Sequence, residues 1–340
     1  MRTTPRWSGP AVSRRGGRLL GRVREDLRAA WPALALRWHR WHNDGAAAVR
    51  TQAHLIRFTP RYRESLAAYE ELDALIARYG GAGLELALHP HRPDKCVFFV
   101  GYSRSGHSLV GSLLDAHPDI AVAHELHALK HFAAGRPFDA VARAMQYNAQ
   151  IFQRLGRQYS GYDYHVPGQH QGHLRYPVII GDKKGNGTAR LLLRHPKLID
   201  LLERDLPVPY VFVHVLRNPY DNITTKAIRT GRDLGAAAQR YFSNAELIAA
   251  LKQRIPQRIV DVYLDDLIAE PKSCLETLMD RLGVEADAGH VRDCASILFK
   301  EPSRTRERLR WPRALVQEVD VQLARYPFLE RFAGGFGAAH

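Results

Sequence analysis

Two hydrophobic patterns divide the chain. Over the first ninety residues the apolar positions recur at helical spacing. Leu19, Leu20, Val23, Leu27 and Leu34 among arginines predict a basic amphipathic helix over 18–40, and Leu66, Tyr69, Leu72, Leu75 and Ile76 predict a second over 64–79 that stops at Gly80 and Gly81. From Cys96 the pattern changes to short unbroken apolar runs. Residues 96–100 (CVFFV), 178–180, 210–216 (YVFVHVL) and 259–264 read as strands buried on both faces. Between them come helices. One over about 108–116 carries Leu109, Val110, Leu113 and Leu114 and stops before Pro118, another begins near Asp221, and a third over 275–282 ends at Gly283. Strands alternating with helices predict an α/β fold with a central parallel sheet covered by helices on both faces. The break in pattern predicts a helical N-terminal extension over 1–93 and an α/β domain over 94–335.

Composition narrows the class only a little. With 45% apolar and 25% charged residues the 340-residue chain is globular, and its 49 Lys and Arg against 35 Asp and Glu give a net charge of +14. That excess favours anionic partners, nucleotides, sulfated glycans, nucleic acid and acidic lipid alike, without choosing among them. The 18–40 helix is where an acidic membrane surface would be touched, although Trp31 and Trp38 favour packing against protein. Three cysteines without a CxxC pair argue against a disulfide framework and a zinc site. No apolar run reaches the roughly 18 residues that span a bilayer, and the N-terminal arginines precede no hydrophobic stretch. Two glycosylation sequons, at Asn186 and Asn222, fall inside the segments that carry the chemistry. A cytoplasmic location is expected.

Residues 101–108 read GYSRSGHS, which fits the phosphate-loop pattern GxxxxGK[ST] at every position except His107, where the lysine should stand. In nucleoside triphosphatases that lysine neutralises the β and γ phosphates, the next hydroxyl holds magnesium, and an acid at the end of another strand completes the metal site. Here the strand YVFVHVL ends in Arg217. A metal-dependent kinase is therefore the weaker reading, and a loop of backbone N–H groups at a helix N-terminus, aided by Arg104, Ser105 and Ser108, suits a phosphate that needs no metal.

Residues 104–108 (RSGHS) resemble the 5′-phosphosulfate loop of the sulfotransferases that use 3′-phosphoadenosine 5′-phosphosulfate (PAPS), with His107 where that family usually has a hydroxyl. Arg217 to Thr225 (RNPYDNITT) is similar to the family's 3′-phosphate element, an arginine with a hydroxyl residue eight positions on. The resemblance implies that Ser103, Arg104, Ser105, Gly106, His107, Ser108 and Leu109 cradle the 5′-phosphosulfate and that Arg104 also meets charge developing on the bridging oxygen. It assigns the 3′-phosphate to Arg217 and Thr225. An arginine can grip a phosphate with two parallel hydrogen bonds, which accords with that role. Two further segments extend the likeness: 262–271 (VYLDDLIAEP), expected to be structural, and 303–311 (SRTRERLRW), which puts Arg304 in the nucleotide site seven residues before Trp311.

Transfer to a hydroxyl or amine needs a base within hydrogen-bond reach. By position in 119–132 (DIAVAHELHALKHF) the resemblance makes Glu125 the catalytic glutamate, with His124 and His127 as the alternatives. His127 and His131 stand four apart, but no third ligand accompanies them and no metal is expected. The segment 181–185 (GDKKG) is similar to the family's G-E-K-T-P stretch and makes Lys183 a second cation at the reacting centre. The Gly-, His-, Gln- and Tyr-rich stretch 159–176 suits a loop that touches the acceptor, whose identity the sequence leaves open. The expectation is thus a PAPS-dependent sulfotransferase without metal. The alternatives are a P-loop kinase and a non-catalytic basic protein that binds sulfated glycan or nucleic acid. A nucleic-acid partner is not expected.

Overall fold

The apolar runs of the α/β region become the strands of one sheet in the computed structural model, which describes residues 93–154, 164–172 and 177–336. The strands are β1 (Lys95–Gly101), β2 (Ile120–His124), β3 (Ile179–Lys183), β4 (Tyr210–Leu216) and β5 (Ile259–Tyr263). They lie in the order β2-β3-β1-β4-β5, and every neighbouring pair is parallel. Parallel neighbours need crossovers, and helices supply them. After β1 comes α1 (His107–Asp115), after β2 come α2 (Ala128–Ala133) and α3 (Phe138–Arg154), and after β3 come α4 (Gly185–Arg194) and α5 (Leu198–Asp205). After β4 come α6 (Pro219–Thr230) and α7 (Leu234–Arg254). After β5 come α8 (Leu264–Ala269), α9 (Pro271–Leu282), α10 (Ala288–Ser296), α11 (Arg313–Ala324) and α12 (Pro327–Glu330).

Both faces of the sheet are covered, as an unbroken apolar run requires. Alternate residues of a strand point to opposite faces. Cys96, Phe98 and Val100 of β1 and Tyr210, Phe212 and Leu216 of β4 accordingly enter one core with Leu191 of α4, Tyr220 of α6 and Tyr241 of α7. Val97 and Phe99 of β1 and Val211, Val213 and Val215 of β4 enter the other with Leu109, Val110, Leu113 and Leu114 of α1, Leu275 of α9 and Val291 of α10. Each fully buried Phe or Leu contributes about 2 to 3 kcal/mol from apolar burial. The P-loop-like α/β architecture read from the sequence is the one observed.

Two strands differ from the expected pattern. β2 was not anticipated, because four small or apolar residues and a histidine, with a helix only three residues farther on, cannot be told from a helix start by periodicity. β3 runs on through Gly181, Asp182 and Lys183, all buried, so Lys183 closes the strand instead of sitting in a loop after it. Charged residues inside a buried strand mask the apolar signal, and here they mark the site. The expected helices over 18–40 and 64–79 lie outside the described residues, as does much of 159–176. No helix among the described residues is long and apolar enough to cross a membrane.

The strand order places the crevice. The connection from β1 leads past β3 to β2, whereas that from β4 leads the opposite way to β5. Such a reversal opens a gap beyond the carboxyl ends of the two strands, where ligands of open α/β sheets bind. The loop 101–108 and Arg217 stand at those two ends.

Candidate active site

The loop from β1 to α1 has a backbone shape that its residues explain. Gly101 and Gly106 have φ of 136° and 100°, and a β-carbon on Gly106 would come within 3.1 Å of Leu264. Arg104 also has positive φ, 75°, a strained setting for a residue with a side chain. Ser103, Arg104, Gly106 and Ser108 are partly exposed, while Ser105, His107 and Leu109 are buried. The first-turn amides of α1 have no acceptor within the helix and are left for a ligand or solvent.

His107 does not stand in for the missing lysine. Its ring is buried edge-on to Phe99, with Nε2 3.3 Å from Val100 O, and a β-carbon at Gly185 would overlap it. Burial pushes its pKa down to about 3, so the imidazole is neutral at ordinary pH. Only its backbone amide is left for a ligand. Leu109 likewise spends its side chain in the core, and the Ser105 hydroxyl accepts a 2.9 Å bond from Asn222 Nδ2 of α6.

The second motif follows β4. Asn218 caps α6 by accepting from Tyr220 N, with Pro219 in the first helical turn. Arg217, fixed just before this cap, donates through Nη1 to Arg104 O at 3.4 Å and to Thr225 Oγ1 at 3.3 Å. Through Nη2 it donates to Ser303 O at 3.3 Å and to Thr305 Oγ1 at 2.8 Å. Two motifs 113 residues apart are therefore in direct contact. The C-terminal segment is tied to the same helix: Asp221 accepts from Arg306 N at 2.7 Å and Arg306 Nη1 at 2.8 Å, and Trp311 Nε1 donates to Thr224 Oγ1 at 3.0 Å. Arg304, the residue of this segment named by the sequence, is half exposed with its guanidinium 4.0 Å from Glu307. Arg306, overlooked, forms the structural pair.

On the other side of α1, strands β2 and β3 end in register, with His124 beside Lys183. Lys183 Nζ donates to Glu125 Oε1 at 2.9 Å, and Lys184 Nζ donates to Glu125 Oε2. Lys183 is packed over Gly111 of α1, where a β-carbon would lie 3.0 Å from its Cγ. Burial lowers the Lys183 pKa, and Glu125 opposes that shift. His124 stacks on Phe152 at 3.7 Å, and its Nε2 lies 3.4 Å from Lys183 Nζ. Since an ammonium only donates, that nitrogen is the acceptor.

The turn carrying Glu125 is strained. Glu125 and His127 have φ of 64° and 68°, and with Arg104 they are the non-glycine residues of positive φ among the described residues. All three lie in segments that the sequence singled out. Asp182, which sequence reasoning passed over, holds this turn: Oδ1 accepts from Leu126 N at 3.0 Å and Oδ2 from Ala128 N at 2.8 Å. A carboxylate next to Lys183 in the apolar run IIGDK was the signal available. Burial raises its pKa to about 6. Burial also drives His127 down to about 3. Among the described residues no group of three His, Cys, Asp or Glu side chains is placed to hold a metal ion.

Comparison with curated proteins finds no match. Solved structures that resemble the chain include the sulfotransferase domain from the Synechococcus PCC 7002 olefin synthase, 18% identical over 74% of this chain and 98% of that one, with a TM-score of 0.41. Sulfotransferase STF9 from Mycobacterium avium is 10% identical over 78% of this chain and 86% of its own, with a TM-score of 0.43. Mouse sulfotransferase SULT7A1, complexed with PAP, is 10% identical over 77% and 93%, with a TM-score of 0.42. The profile of the sulfotransferase family matches residues 96–288, more than half of the chain and a span that takes in the phosphate loop, Glu125, Lys183 and the Arg217 element. On that match, the chain belongs to the sulfotransferase family, and it is an enzyme of sulfate transfer.

Proposed function

We propose that residues 94–335 form a transferase domain that takes its sulfuryl group from PAPS and passes it to a hydroxyl or amine of the acceptor. The observation that carries this reading is the contact of Arg217 with Arg104 O, Thr225 and Thr305. The contact supports the reading because a single doubly phosphorylated nucleotide would have to reach both motifs. The donor supplies the sulfuryl group and leaves as the 3′,5′-bisphosphate. The chain supplies the rest. The amides of the strained loop and of the first turn of α1 face the 5′ side, with Arg104 as the cation, while Arg217, Thr225 and Arg304 serve the 3′ side. Preorganised donors of this kind need no rearrangement as charge develops.

Glu125 is the proton acceptor in this reading, held by two lysines and by a turn that Asp182 fixes. Lys183, buried against α1, brings positive charge to the reacting centre. His124 is less suited, because its Nε2 already accepts from Lys183. Calorimetry with the 3′,5′-bisphosphate nucleotide, and separately with ATP plus magnesium, tests the proposal. Binding of the first without the second supports it; preference for ATP overturns it.

A further inference from the structure

Two helices reach the phosphate loop through asparagines, and a third joins them through an asparagine of its own. Asn222 of α6 donates to Ser105 Oγ, and Asn244 of α7 donates to Gly101 O at 3.3 Å and to Asn186 Oδ1 of α4 at 3.1 Å. A residue four positions away on a helix lies on the same face, one turn on. Four residues from each asparagine stands a cation: Lys226 on α6, Arg240 on α7 and Arg190 on α4. The contact of Asn186 with Asn244, carried one turn along the two helices, brings Arg190 to Arg240.

Charge interactions agree with this convergence. Arg104, Arg240, Arg190 and Arg232 all act on Lys226, and Arg194 and Arg240 act on Arg190. Burial and these neighbours together push Lys226 down to about 8. Among the described residues no carboxylate forms an ion pair with Lys226, Arg190, Arg232 or Arg240. Lys226 is partly buried while Arg190 and Arg240 are exposed, and an anion that binds among them relieves the repulsion at Lys226.

We propose that Lys226, Arg190 and Arg240 form an acceptor subsite that grips an oxyanion on the acceptor, a carboxylate, phosphate or sulfate set near the hydroxyl or amine to be sulfated. The inference rests on the sulfotransferase reading and narrows it to anionic acceptors. A neutral phenol or steroid would leave the cluster unmatched.

Lys226 reports on its own occupancy. At pH 8 a lysine with a pKa near 8 is about half amine, against about 0.3% for one at 10.5, so it should acylate far faster than ordinary lysines. The full chain is labelled with acetic anhydride at pH 8 and the rate at Lys226 is read by peptide mass spectrometry. The four conditions are protein alone, saturating 3′,5′-bisphosphate nucleotide, nucleotide plus phenyl phosphate or phenyl glucuronide, and nucleotide plus neutral phenyl glucoside. Protection of at least fivefold by phenyl phosphate or glucuronide on top of the nucleotide, and under twofold by the glucoside, is expected. Which anion protects better separates phosphate from carboxylate acceptors.

In R190Q/R240Q the anion protection should vanish while nucleotide affinity stays within twofold. Complete protection by nucleotide alone, or a tenfold loss of nucleotide affinity in the double variant, would assign the cluster to the donor and overturn the proposal. Lack of protection by either anion would overturn it as well. Failure of the sulfotransferase reading shows separately, as absence of nucleotide binding in calorimetry on the unmodified protein.

Discussion

Replacing Arg217 by alanine tests the nucleotide site most directly, because the effect should depend on a single phosphate of the ligand. Arg217 makes one short contact, 2.8 Å to Thr305 Oγ1, and three long ones of 3.3 to 3.4 Å to Arg104 O, Thr225 Oγ1 and Ser303 O. A 3′-phosphate would draw the guanidinium away from the long contacts. Each charge-assisted hydrogen bond is worth about 1.5 to 3 kcal/mol, and two of them, less the weak bonds exchanged, leave a net of about 2 to 3 kcal/mol. R217A should therefore bind the 3′,5′-bisphosphate nucleotide about 30- to 150-fold more weakly. Adenosine 5′-monophosphate, which lacks the 3′-phosphate, should change by no more than about threefold. R217K, keeping charge without the planar fork, should fall between. Calorimetry on three proteins with two nucleotides gives the full cycle. If R217A weakens both nucleotides equally, Arg217 acts only by holding the loop to the C-terminal segment, and the 3′-phosphate assignment is wrong.

Asp182 predicts an acid limit to turnover. Its folded value of about 6 lies above the ordinary 3.8, so the native state takes up its proton first as pH falls. Between those values the folded state binds more protons than the unfolded one, and this group makes stability rise as pH drops. The protonated carboxyl nevertheless loses an acceptor that Leu126 N or Ala128 N requires. Release of bisphosphate nucleotide from PAPS should fall about tenfold per unit below pH 6 while Tm does not fall with it, and D182N should be slow at every pH. Parallel loss of Tm and rate in the wild type through pH 6 would refute this assignment. Restoring the phosphate-loop lysine as H107K should not create ATP binding. It would bury an unpaired ammonium at about 3 kcal/mol or more, lowering Tm by roughly 6 to 12 °C; an unchanged melting curve would contradict the burial of His107. Removing the bond between helix α6 and the loop with N222A should cost about 1 to 2 kcal/mol, a Tm loss of roughly 2 to 8 °C by calorimetry. A melting curve shifted by less than 1 °C would show that the Asn222–Ser105 contact holds nothing.

Much of the fold was legible because buried strands and amphipathic helices leave their mark on local sequence. The runs 96–100 and 210–216 are apolar at every or nearly every position because both faces of the central strands are covered, and that alone implies the parallel sheet. The glycines of 101–108 declared a loop of unusual backbone for the same local reason. β2 and the end of β3 were harder, since Glu125, Asp182 and Lys183 answer to partners far away in the chain and not to neighbours.

Local pattern by itself determined the α/β class, four of the five strands and the chemistry available at their ends, because alternation, capping and turn formation are interactions between residues close in sequence. Tertiary structure decided what those residues do. Only the folded chain turns His107 inward, makes Asp182 the support of the Glu125 turn, ties Arg306 to Asp221, and sets Lys226 among Arg104, Arg190 and Arg240. The reason is physical: whether a charge or an imidazole faces a ligand or a buried partner depends on burial and on groups brought from distant segments, neither of which a local pattern encodes.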